Sequence, residues 1–206
     1  MGPAHEFAQV GGREPTLVRM AAELSIALPT GDGWTWDDLQ AIPDEAHHHY
    51  ELIEGQILMS RSPGAAHQTA VLNLALAFRA AIPRELRVLV SPFDFVPEPH
   101  TTLQPDVLVI RRGTSEEKRT VVPPVLVVEV LSPRTMTTDR TTKRELYARF
   151  GVPHYWIVDP AEPSILALEL GDDGAYVDAA TVAGATAFTA SAPFAVQLTP
   201  SELVED

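Results

Sequence analysis

Two short stretches constrain this chain more than anything else in it. QPDVLVI (residues 104–110) and VLVVEVL (residues 125–131) are apolar runs, each interrupted by a single carboxylate, Asp106 in the first and Glu129 in the second. Near-continuous runs of Val, Ile and Leu mark strands covered on both faces, and such strands belong to sheets with helices packed against them. An acid inside such a strand loses its hydration unless a cation or several donors meet it. Two acids on consecutive strands also repel each other if they face one another. A hard divalent ion, Mg2+ or Mn2+, answers both problems, because it takes oxygen ligands and favours the ionised carboxylate. Each acid alone also fits a wet strand end or an arginine partner; the pair favours the metal.

The surrounding pattern is that of an α/β protein. Residues 1–33 read as an N-terminal extension, with a short helix from Pro15 to Ala27, and residues 34–206 as one domain. Thr35 looks like the N-cap of a short helix with acids in its first turn. Tyr50 to Ser60 reads as two strands hinged at Gly55, and His67 to Ile82 as a helix stopped by Pro83. LRVLVSPFDFV is expected to be one strand ahead of the two acid-bearing ones. Thr138 is expected to cap a helix over Asp139 to Phe150, which ends at Gly151 and Val152-Pro153. HYWIVDP reads as a strand, with Tyr155 and Trp156 in the core and Asp159 in the turn that follows. The remainder alternates apolar stretches with Gly and Pro turns, an antiparallel extension of the sheet.

On the 139–150 helix, Asp139, Lys143, Leu146 or Tyr147, and Phe150 share one face. That places a cation near the strand ends. A metal-dependent nuclease would want a lysine beside the second acid, at the position of Leu131, to hold water or offset phosphate charge; Lys143 is the candidate replacement. It also fits a plain ion pair with Asp139, four residues before it.

Charge limits the partners. The 206 residues carry 15 basic and 28 acidic side chains, a net charge of −13, which argues against indiscriminate nucleic-acid binding. The imbalance is local, however. Nine acidic residues and no lysine or arginine follow Arg149, whereas Arg111 to Arg149 holds nine basic residues against five acidic ones. A basic face on an acidic protein is one reading, and a surface of mixed charge is the other. The acidic C-terminal region could also act as a tail that masks the site. The absence of cysteine excludes disulfides and thiolate metal sites. Without a secretory pattern or an apolar run of membrane length, the expectation is a cytoplasmic protein with no membrane partner.

YELIEG, a His67 after a Ser-Pro-Gly loop, PDVLVI, VVEVLSP, TTKRELYARFGV and YWIVDP occur in this order. The series resembles the Uma2 family, a bacterial group of restriction-endonuclease-like proteins within the PD-(D/E)XK nuclease superfamily. The resemblance covers about Tyr50 to Pro160. It implies a restriction-endonuclease-like mixed central sheet flanked by helices, with C-terminal antiparallel strands, and a metal-dependent endonuclease acting on nucleic acid, DNA foremost. It also implies Asp106 and Glu129 as metal ligands, Mg2+ or Mn2+ as the ion, and Lys143 as the catalytic lysine moved from strand to helix. Glu51 or Glu54 would complete the metal shell, and Glu51 is preferred. A catalytically inactive binding or scaffold protein on the same fold is the alternative, supported by Leu131.

The triplet His47-His48-His49 reads as a polar loop, since consecutive residues cannot all face one metal. His67 either lines the site or caps its helix. Ser132 lacks the GxSxG context of a nucleophile and fits a turn or a hydrogen bond to a metal ligand. An exposed sheet edge near the C-terminus could pair two chains into a homodimer.

Overall fold

The computed structural model describes residues 33–42 and 48–205; the helix expected over Pro15 to Ala27 and His47 lie outside them. The short helix α1 (Trp36–Gln40) starts at Thr35 with a complete capping box, Thr35 and Asp38 satisfying each other's backbone amides. Strands β1 (His48–Ile53) and β2 (Gln56–Arg61) form a hairpin. Its two-residue turn places Glu54 at φ 52° and Gly55 at φ 79°. That conformation matches the twist of paired strands, and Gly55 adopts it without strain.

Helix α2 (Ala65–Ala81) follows, and then β3 (Leu86–Val90), β4 (Asp94–Glu98), β5 (Thr101–Leu103), β6 (Val107–Arg111), the two-residue β7 (Arg119–Thr120) and β8 (Leu126–Val130). Helix α3 runs through Met136–Thr138, a π-helical stretch Asp139–Lys143, and Arg144–Arg149. Strands β9 (His154–Asp159), β10 (Ser164–Leu170), β11 (Tyr176–Ala183), β12 (Phe188–Ala190) and β13 (Val196–Leu198) complete the chain, with a 3-10 turn at Glu202–Val204.

The main sheet has the order β11-β10-β9-β8-β6-β3 and is antiparallel except for the β8–β9 pair, which α3 connects. A second sheet, β2-β1-β5-β4-β7, stands beside it. On one side of the main sheet, α2 and the β12–β13 pair bury Leu74, Phe78, Val128, Trp156 and Phe194. On the other, α3 and the second sheet bury Phe95, Leu108, Val127, Leu146 and Tyr155. The architecture is the expected mixed α/β arrangement.

Several local expectations change. LRVLVSPFDFV is two strands in different sheets, parted at Ser91-Pro92, where the proline has no amide for a ladder. Helix α3 starts earlier than Thr138, because the amides of Thr135 and Met136 donate to the Ser132 carbonyl at 3.2 and 3.0 Å and begin the winding there. Ser132 serves that turn, with its hydroxyl 3.0 Å from Thr135 Oγ1. His48 and His49 belong to β1 and not to a loop. The acidic C-terminal quarter is no detachable tail: Ile165, Leu168, Phe194 and Leu198 are buried in the two cores. Among the described residues, no helix is long and apolar enough to cross a membrane.

Candidate active site

The register of the main sheet decides whether the two acids meet. Val107 pairs with Val128 and Leu108 with Val127, so Asp106, one step before the strand, comes opposite Glu129. Asp106 Oδ2 accepts the amide of Val130 at 2.8 Å, extending the ladder with a side chain, and lies 3.2 Å from His67 Nε2. His67 is in the first turn of α2 and buried; the helix cap is Gly64, so the histidine lines the site.

The π-helical stretch turns both Asp139 and Lys143 toward the sheet, and both are buried. π-bulges of this kind recur at functional sites. Lys143 Nζ lies 3.0 Å from Glu51 Oε1, 3.0 Å from Glu129 Oε1 and 3.5 Å from Asp139 Oδ1. It is therefore neither a surface lysine nor the partner of Asp139 alone. Tyr147, one turn on, donates its hydroxyl to Glu129 Oε1 at 2.7 Å. Gln104 donates its backbone amide to Glu51 Oε1 at 2.8 Å. Glu54 turns outward and pairs with Arg149 at 2.8 Å.

The electrostatics follow from burial. Desolvation pushes the Glu129 carboxyl well above its ordinary range; Lys143 opposes this, while Asp139, Asp106 and Glu51 add to it. Asp139 is raised for the same first reason, again against the pull of Lys143. For Lys143, burial would depress the pKa, but Glu129, Glu51, Asp139 and Asp106 together outweigh it and hold the ammonium well above the usual lysine range. Lys143 is thus a fixed positive charge and a hydrogen-bond donor, not a proton acceptor.

These side chains line one cavity of about 310 Å3, which takes in Glu51, Asp106, Glu129, Asp139, Lys143 and His67. All four residues singled out from the sequence, Asp106, Glu129, Lys143 and Glu51, reach it. Sequence reasoning missed Gln104, whose contribution to Glu51 is a backbone amide and leaves no side-chain signal. It also missed His49, which lines the cavity and sits 2.7 Å from Gln104 Oε1. Tyr147 was legible only as one of two residues on the inner face of the helix.

Four carboxylates line this cavity, and three of them, Glu51, Glu129 and Asp139, surround one ammonium. An oxygen-rich, negatively charged donor set of this kind suits a hard divalent cation. Among the described residues, no three acidic or histidine side chains surround a common point at ligand spacing, and Glu51 and Glu129 both direct an oxygen at Lys143 instead. Mg2+ needs only one or two carboxylates when water fills its remaining positions, so Asp106 and Glu129 fit that requirement.

Comparison with known proteins agrees with the fold. A family model, Uma2, described as "Putative restriction endonuclease", matches residues 36–201. No curated protein matches. Among solved structures, the chain is similar to a "putative nuclease belonging to DUF820" from Anabaena variabilis ATCC 29413, with a TM-score of 0.68 and 20% identity over 82% of this chain and 97% of that one. At that identity the likeness establishes the shared fold. Since the family match runs from the start of α1 past β13 and includes every residue of the cavity, this chain belongs to the Uma2 family.

Proposed function

We propose that this protein is a divalent-metal-dependent endonuclease that hydrolyses phosphodiester bonds in nucleic acid, with DNA as its substrate. Asp106 and Glu129 would hold Mg2+ or Mn2+, and Glu51 is the third acidic side chain at the site. The ion, when bound, supplies Lewis-acid chemistry, making water more acidic and offsetting charge on the phosphate. The chain's own groups do the positioning. The Val130 amide and His67 fix Asp106, the Tyr147 hydroxyl fixes Glu129, and the Gln104 amide fixes Glu51. Lys143 keeps Glu51 and Glu129 close to each other and places a permanent positive charge beside the reacting phosphate, where it offsets developing negative charge.

One observation carries this reading: Asp106 and Glu129, from separate strands, stand opposite each other in one cavity with the Lys143 ammonium. Cleavage of supercoiled plasmid in Mg2+ or Mn2+ tests it. Asp106→Ala should abolish cleavage while the circular dichroism spectrum stays native; undiminished cleavage by that variant would refute the assignment.

A second reading, a binding or scaffold protein without catalysis, is favoured by two particulars. Lys143 sits between Glu51 and Glu129 at 3.0 Å from each, and Leu131, where a nuclease of this class would carry its lysine, is buried in an apolar cluster. Calorimetry with Mn2+ separates the two. Saturable binding that Asp106→Ala removes supports the nuclease, and its absence supports the scaffold.

A further inference from the structure

The segment from Arg111 to Arg149 holds most of the chain's positive charge, yet the fold engages much of it internally. Arg119 pairs with Glu116, Arg140 approaches Asp159, and Arg144 approaches Asp178. Arg149 bridges Glu54 and Glu98, and Lys143 is surrounded by carboxylates. The basic face that the composition allowed is therefore mostly a set of ion pairs. Arg134 is different. It is exposed, lines the cavity, and has no ion pair or hydrogen bond from its guanidinium among the described residues. The other cationic side chain in that lining, Lys143, is already held by Glu51, Glu129 and Asp139.

The placement of Arg134 is fixed by its turn. Ser132 and Thr135 close the link from β8 to α3 through the bonds from the Thr135 and Met136 amides to the Ser132 carbonyl, and Arg134 sits within that closed turn. The turn begins three residues after Glu129, so it sets the Arg134 backbone beside the acid-bearing strand end, and its side chain joins Glu129 in the lining of one cavity.

We infer that Arg134 is the substrate-binding residue of this site, gripping a backbone phosphate of the nucleic acid next to the bond that is cut. This rests on the nuclease reading above. The metal ion and Lys143 act on the phosphate that reacts, whereas the flanking phosphates of the strand meet the same four carboxylates and are repelled unless a further cation at the cavity receives them. A guanidinium suits the task because its planar fork can bond two phosphate oxygens at once.

The test measures binding of the full-length protein to a short duplex DNA of mixed sequence in Ca2+, over a range of salt concentrations, alongside plasmid cleavage in Mg2+. Arg134→Ala should weaken binding about tenfold or more, and should reduce the slope of log K against log salt by about one, the signature of one lost phosphate contact. Arg134→Lys should keep the slope and recover part of the affinity, since it retains the charge without the fork. Mn2+ binding by calorimetry should be the same in all three proteins. Arg111→Ala is the control. Arg111 is also exposed and without an ion pair among the described residues, but it ends β6, five residues from Asp106, roughly 16 Å along the strand.

If Arg134→Ala binds with the affinity and salt slope of Arg111→Ala while the wild type cleaves DNA, the inference is wrong and the nuclease reading stands. If the wild type neither binds nor cleaves DNA, both fall together.

Discussion

Along β8, Val128 and Val130 point to the α2 side of the main sheet, while Val127, Glu129 and Leu131 point to the α3 side. The α2 side is an apolar core whose rings meet edge to face, Phe78 against Trp156 and against Phe194, with Phe188 on Trp156. The α3 side has its own apolar cluster, but one turn of helix and one strand end are given over to Glu129, Asp139 and Lys143, all buried. The same alternation of residues that makes one side dry therefore delivers a carboxylate to the other. The first side is dry apolar packing; the second keeps buried charges around the cavity at a cost in desolvation.

Truncation should separate the two sides most sharply. Trp156→Ala is expected to lower the unfolding free energy by about 3–5 kcal/mol, the cost of emptying a large aromatic site. Lys143→Ala should cost a similar amount, about 3–5 kcal/mol, since removing one partner leaves buried carboxylates uncompensated, and cleavage should disappear with it. Glu129→Gln breaks the symmetry: cleavage should be lost, yet stability at neutral pH should equal or exceed that of the wild type. Urea melts at one pH measure all three. A Glu129→Gln protein as unstable as Trp156→Ala would show that the carboxylate belongs to the core after all.

Metal should act on the α3 side alone. At a hundredfold excess over its Kd, an ion that binds only the folded protein adds about 2.7 kcal/mol, which for a chain of this length raises Tm by roughly 5–10 °C. Wild type and Trp156→Ala should both show the rise in Mn2+, and Asp106→Ala should not.

A smaller effect follows from pH in the presence of a chelator. Glu129 and Asp139 have pKa values raised in the folded protein, chiefly by burial. At acid pH both states hold these protons. As pH climbs past the ordinary carboxylate range, the unfolded chain releases them first and the folded chain binds more, so stability falls until the buried groups themselves ionise. Lys143 acts only at the alkaline end: its raised pKa contributes stability that is fully present below 10.5 and is lost as pH rises through the folded value. Tm should therefore decline as pH rises above the ordinary carboxylate range. Glu129→Gln should flatten the decline and Trp156→Ala should keep it.

How much of this could be read in advance depended on where each signal resides. Asp106, Glu129 and Lys143 declare themselves because a charge in an apolar run or on the inner face of a helix violates its surroundings. The early start of α3 and its π-helical stretch do not, since they arise from the Ser132–Thr135 turn and from tertiary packing that no periodicity encodes. The split of LRVLVSPFDFV between two sheets was hidden because both halves are equally apolar; only Pro92 marked the break. His49 was obscured by its neighbours: a run of three histidines suggests a loop, and alternation along β1 matters only once the strand is known to begin there. Gln104 reaches Glu51 through its backbone amide, for which side-chain identity gives no warning, and its side chain bonds His49 and Asp94 only once the strands are paired.

The hairpin at Gly55 offers the mildest test of the comparison, and the most specific. Glu51 and Glu54 lie three residues apart in YELIEG, Glu51 being the preferred candidate, and the turn sends Glu51 inward to Lys143 and Glu54 outward to Arg149. Exposed pairs of the second kind contribute little, because water screens them and ordering two long side chains costs entropy. Glu54→Ala should thus change stability by less than about 1 kcal/mol and leave plasmid cleavage and Mn2+ affinity at wild-type levels. Glu51→Ala should lower both cleavage and Mn2+ affinity. Equal losses in the two variants would mean that the hairpin, rather than either carboxylate, is what the site requires.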